Sequence, residues 1–91
     1  MIPIPTTYRE FYPELCEIID YGQRFIEDAA WDAYSQMLDG EEEGAVESLV
    51  SQLVNNGHGI PPHLCEWAEG YFLEGDHRVI DKLRSIRGHT D

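Results

Sequence analysis

His58, His63 and Cys65 come nearest to a metal site in type and spacing, as a His-x4-His-x-Cys arrangement. Zinc takes four protein ligands in a structural site, or three and a water in a catalytic one. Pro61 and Pro62 separate the first histidine from the other two residues, and a fourth ligand must come from Cys16 or a remote acid. The cluster therefore reads as loop histidines near a buried cysteine. Glu74 and His77 have the Glu-x-x-His spacing of carboxylate-bridged metal bundles, which need two copies on facing helices. This chain has one copy, and Gly75 interrupts it. Cys16 with a histidine has the types of a nucleophile and its base. It lacks an oxyanion loop and a third orienting group, and it sits beside an apolar stripe, so it reads as core. With no catalytic, metal or cofactor motif standing out, the chain reads as non-enzymatic.

The carboxylates are more informative. Among 91 residues, 18 Asp and Glu face six Lys and Arg, for a net charge of −12. Residues 1–76 carry 16 acids and two bases, whereas residues 77–91 carry four bases and two acids. Such a surface repels nucleic acid and anionic membrane and attracts basic protein surfaces. On an ideal helix at ~100° per residue, Glu10, Glu14, Glu17, Asp28, Asp32 and Asp39 share an arc of roughly 60°, with Asp20 and Glu27 on its flank. About eight carboxylates over ~45 Å place one charge every ~5–6 Å, against one per ~3.4 Å on a single DNA strand. Solvated helix faces usually interleave lysine with glutamate at i,i+4. From Glu10 to Glu47 this chain offers Arg24 alone. The row therefore reads as a diluted phosphate backbone suited to a basic groove, with a plain solvated face as the alternative. A tight complex also needs anchors. Trp31, Tyr21 and Tyr34 lie toward the edges of the polar side and are candidates, and partial burial against a neighbouring helix is the other reading of each.

Helices must position these side chains. Ile2-Pro3-Ile4-Pro5 forbids helix, so residues 1–6 form an extended segment lying across the core or against another subunit. Thr7 and Glu10 have capping-box spacing for a short turn carrying Tyr8, Phe11 and Tyr12. Pro13 opens a long helix running to about Leu38 and ending before Gly40. Leu15, Ile18, Ile19, Gly22, Phe25, Ile26, Ala29, Ala33 and Met37 form its inward stripe. Gly22 either admits another helix closely or breaks this one in two.

Glu41-Glu42-Glu43 begin a second helix, with Val46, Leu49, Val50, Leu53 and Val54 inward and Asn55-Asn56-Gly57 at its end. Ile60-Pro61-Pro62 opens a third, with Ile60 stapled to Leu64 and with Leu64, Ala68, Tyr71 and Phe72 inward up to Gly75. Asp76 caps a last helix in which Val79, Ile80, Leu83 and Ile86 face inward, and Gly88 closes it. The segment from Leu64 to Arg87 has the order of a helix-turn-helix. To bind DNA, however, Arg78, Lys82, Arg84 and Arg87 must outweigh the charge of the whole domain. These bases pair more favourably with the acidic part of the same domain or of a second subunit, which admits a homodimer. The expectation is an all-α fold: a small single helical domain over residues 7–91, of about four helices, with one long N-terminal helix. The chain shows neither a secretory signal nor an apolar span of ~20 residues, and its two cysteines are too few for a disulfide scaffold. It therefore reads as cytoplasmic with free thiols.

Small, strongly acidic, helical and free of catalytic motifs, the whole chain resembles in character the phage-encoded inhibitors of the anti-CRISPR type and other DNA-mimicking antagonists. Ile60-Pro61-Pro62-His63-Leu64-Cys65-Glu66-Trp67-Ala68 is similar to the proline-opened helices of many small phage and mobile-element proteins. The resemblance implies a stoichiometric inhibitor, working in the host cytoplasm, that occupies the nucleic-acid-binding surface of a host defence or other nucleic-acid enzyme. The expected contacts are Glu10, Glu14, Glu17, Asp20, Asp28, Asp32 and Asp39 with Trp31 and Tyr34. The expected partner is a basic protein surface, without direct nucleic acid, membrane or cofactor. The alternative is a small structural or regulatory adaptor, or an antitoxin-like subunit, that binds through aromatic helix faces. Since the His/Cys cluster cannot close a tetrahedral site from its own ligands, a strong chelator should leave the melting temperature unchanged. A drop of many degrees, reversed by zinc, would make His58, His63 and Cys65 ligands after all.

Overall fold

The computed structural model describes residues 2–70 and residue 81. It forms five helices and, among the described residues, no strand: α1 (Thr6–Phe11), α2 (Pro13–Gln23), α3 (Glu27–Leu38), α4 (Glu42–Asn55) and α5 (Pro62–Glu69). The inward face expected at Tyr71 and Phe72, the Gly75-Asp76 turn and the whole basic last helix lie outside the described residues. So does the Glu74/His77 pair.

The single long N-terminal helix is not formed. α2 ends at Gln23 and α3 starts at Glu27, so three residues separate two helices that pack on each other. The Gly22 carbonyl accepts from the N–H groups of both Phe25 (3.0 Å) and Ile26 (2.7 Å), which tightens the end of α2. Ile26 then turns to φ −138° and ψ 78°, and its carbonyl receives the Ala30 N–H at 3.1 Å to start α3. Two residues expected on the inward stripe move as a consequence. Phe25 is 46% exposed, and Ile26 is only partly buried, packed on the edge of the core. The physical reason lies in what each half can bury. Folded back, α2 and α3 cover each other and both meet α4, whereas a straight rod would leave half its stripe without a partner.

Of the two readings of Gly22, the structure shows the close approach of another helix, while the break falls just after it, at residues 24–26. A Cβ there would stand 3.0 Å from Leu49 Cδ1, so α2 and α4 come together where α2 has no side chain. Small residues do the same on α3, whose inward face is Ala29, Ala30, Ala33 and Met37. Leu15, Ile19, Val46, Leu49, Leu53 and Leu64 are all buried as expected, in one cluster with Ile18, Val50, Ile60 and both cysteines. The N-terminal segment lies across this cluster. Ile2 and Ile4 are buried, while the Ile2 N–H donates to Gln23 Oε1 at 3.1 Å.

The helix ends follow local chemistry, with one exception. Pro13 opens α2, Pro62 opens α5, and Glu42 and Glu43 occupy the first turn of α4. Gly40 (φ 81°) and Gly57 (φ 78°) close α3 and α4 in the left-handed region. In both cases the glycine N–H and the next residue's N–H bond back to the last turn, Gly40 to Met37 and Glu41 to Gln36, then Gly57 to Val54 and His58 to Leu53. The Thr7/Glu10 capping box is not formed. α1 begins two residues earlier with Pro5 at its N-cap, φ −58° and ψ 145°, and with no side-chain cap hydrogen bond. The proline carbonyl already accepts from Tyr8 and Arg9.

Truncating Leu49 to Ala should destabilise the fold by about 2–5 kcal/mol in urea melts, since it removes a fully buried side chain. Gly22→Val should cost about 1–3 kcal/mol by overpacking the same contact, despite the better helix propensity of valine over glycine.

Candidate functional site

The sequence-derived contact residues divide among three helices rather than forming one straight row. Glu10 is exposed on α1, and Glu14, Glu17 and Asp20 belong to α2. Asp28 and Asp32 are exposed on α3, and Asp39 caps its C-terminus. The break at residues 24–26 shortens the unbroken row from the expected ~45 Å to ~17 Å, the axial rise from Asp28 to Asp39.

Two α2 acids are engaged within the chain. Asp20 holds the Arg9 guanidinium, Nη1 to Oδ2 at 2.9 Å and Nη2 to Oδ1 at 3.4 Å. That pairing raises the Arg9 pKa, chiefly through the hydrogen bond. Glu17 Oε2 lies 2.6 Å from His63 Nε2 and so links α2 to α5. Sequence reasoning missed Arg9, because its partner lies eleven residues on and across a helix boundary, where no periodicity speaks. Asp28, Asp32 and Asp39 have no ion-pair or hydrogen-bond partner for their carboxylates among the described residues.

The aromatics also divide. Trp31 is 40% exposed and Leu38, seven residues on, is 43% exposed, so both lie on the outer side of α3 among the carboxylates. Tyr34 is half-buried, packs edge-on to Trp31 at 5.8 Å, and donates its hydroxyl to the Pro3 carbonyl at 3.4 Å. Tyr21 donates to the Gly59 carbonyl and stacks on Phe25, which itself packs on His58 at 4.7 Å. Burial pushes the Tyr21 phenol above its ordinary range. Tyr21 and Tyr34 are therefore tied to other parts of the chain by their hydroxyls, and Trp31 is the most exposed of the three candidates.

The residues with chemical potential are held in structural roles. Cys65 donates its S–H to the Ile60 carbonyl at 3.3 Å, and Cys16 packs against Met37 sulfur at 4.0 Å. Both thiols are free and buried. With His58 against Phe25 and His63 on Glu17, no group of three or more His, Cys, Asp or Glu among the described residues is placed to hold a metal ion. No helix among them is long and apolar enough to cross a membrane.

Compared with family models, curated proteins and solved structures, the chain finds no match. The reading of the site therefore rests on its geometry alone. Burial, the largest influence on Cys16, lifts its pKa above the ordinary thiol value. At pH 8 the folded protein should therefore react with a small disulfide reagent far more slowly than the urea-unfolded chain. Equal rates would show that Cys16 and Cys65 are reached without unfolding.

Proposed function

We propose that this protein is a non-enzymatic acidic binding protein whose α3 face docks on a basic protein surface and keeps nucleic acid from it. The enzyme so blocked is one of host defence, of the CRISPR type, or another nucleic-acid enzyme. One observation carries the reading: Asp28, Asp32 and Asp39 stand exposed around Trp31 and Leu38, without a cationic partner among the described residues. One helical turn separates Asp28 from Asp32, so two charges stand ~6 Å apart along the axis, about half the linear charge density of one DNA strand. Charge at this spacing steers a basic groove into place, and Trp31 with Leu38 adds the apolar contact that charge alone does not supply. Glu27, in the first turn of α3, extends the row.

The adaptor reading rests on the same exposed Trp31 and Leu38 taken without the acids. Salt distinguishes the two, because exposed charge pairs are screened and apolar contacts are not. The partner is first captured from the native host and then titrated. The captured protein should bind DNA or RNA, and that nucleic acid should displace it. The triple change Asp28→Lys, Asp32→Lys, Asp39→Lys should weaken binding at least tenfold at low salt and flatten its salt dependence, with the far-UV circular dichroism unchanged. If the triple variant binds as tightly as the parent at both salt concentrations, the acidic face is only a solvated surface and the mimicry reading fails. Loss of binding in Trp31→Ala alone would establish the adaptor.

A further inference from the structure

A second surface, separate from the α3 row, has the chemistry of a cation site. Phe11, Tyr12, Glu14, Glu42 and Trp67 line a cleft of about 420 Å³ where the α1–α2 junction meets the start of α4 and the second half of α5. Phe11 is 76% exposed, the most exposed large apolar side chain among the described residues. It is fixed against Tyr12 at 5.6 Å with the rings tilted by 54°. A ring left in water costs free energy that local packing does not recover. Tyr12 and Trp67 are half-buried against the core, so their positions are set by the fold.

Two carboxylates from different helices enter the same cleft. Glu14 belongs to the first turn of α2 and Glu42 to the first turn of α4. Both are half-buried, and neither has a hydrogen-bond or ion-pair partner among the described residues. The helix macrodipole accounts for an acid at each of these positions. It does not account for both acids sharing a cleft walled by three aromatic rings. Two carboxylates lining one cleft give it a negative potential that attracts a cation. Aromatic faces attract the same cation through their quadrupoles.

We propose that this cleft binds an arginine side chain of a partner protein. The planar guanidinium is weakly hydrated, stacks on aromatic faces and offers several donors to two separate carboxylates, whereas an ammonium is a strongly hydrated point charge. The volume is near the lower end of the roughly 300–1,000 Å³ of small-molecule sites, which suits one side chain. The net charge of −12 brings basic partners to the whole surface, and this cleft selects one residue from them. None of the α3 acids lines this cleft.

The test uses the full chain carrying Trp31→Phe, which leaves Trp67 as the remaining one of the two tryptophans and therefore as the reporter. N-acetyl-arginine amide should change its fluorescence saturably in the millimolar range, and the neutral isostere N-acetyl-citrulline amide should not. Glu14→Gln with Glu42→Gln should weaken the arginine amide about tenfold, the loss expected when charge-assisted hydrogen bonds become neutral ones. The double reversal Asp28→Lys, Asp32→Lys, which spares Asp39 beside the start of α4, should leave the titration within about twofold, since neither residue lines the cleft. Three results would overturn the proposal: no saturable change up to tens of millimolar, equal responses to arginine and citrulline amides, or loss of the response in the Asp28→Lys, Asp32→Lys variant. The citrulline comparison uses the unaltered cleft, so it decides even if the double glutamine variant folds poorly. None of these outcomes bears on whether the α3 row binds its partner.

Discussion

The absence of a side chain at Gly22 sets the geometry of this fold. Leu49 comes within 3.0 Å of where a Cβ would stand, and this close contact joins α2 to α4 in the core. α2 and α3 then have to fold back on each other rather than run on, because α3 also packs on α4. Each helix is short, and helices of this length are marginal alone in water. They persist because every inward face is shared with a neighbour.

That arrangement decides which charges are available. Folding α1 against α2 gives Asp20 to Arg9, and the position of α5 gives Glu17 to His63. Of the two arginines among the described residues, one is thereby committed within the chain. Exposed pairs of this kind are worth about 0–1 kcal/mol each, so they orient helices more than they stabilise them. The remaining acids repel one another, and that repulsion is the electrostatic counterpart of an unfilled pocket. On the two proposals above, a basic surface would relieve it along α3, and a single cation would relieve it beside Glu14 and Glu42.

Binding surfaces work best when their side chains stand on elements that do not move. The connections on either side of α3 have three residues each, and the one after it closes with Gly40 in the left-handed region. Few conformations satisfy such short connections, so the outer side of α3 is held in a narrow range of orientations. Tyr34 adds a tie to the N-terminal segment, and Ile2 ties that segment to the end of α2. The described interior contains no buried polar or charged residue, which leaves the chemistry of the chain to its surface.

The all-helical character, the proline starts of α2 and α5, the glycine ends of α3 and α4, and most of the core were legible in the sequence. Each depends on interactions within a few residues or on a period near 3.6. The acidic character was legible too, since charge is a property of composition. The break between α2 and α3 was only half legible. Phe25 and Ile26 continue the apolar period in phase through the turn, so periodicity reports one helix where there are two, and Gly22 is the sole local sign. Which carboxylates stay free is a matter of tertiary structure alone. Arg9 finds Asp20 and His63 finds Glu17 across helix boundaries, at sequence separations where spacing carries no information about distance. The same holds for the cleft: Phe11, Glu14, Glu42 and Trp67 come from four helices, and only the packing of those helices brings them together.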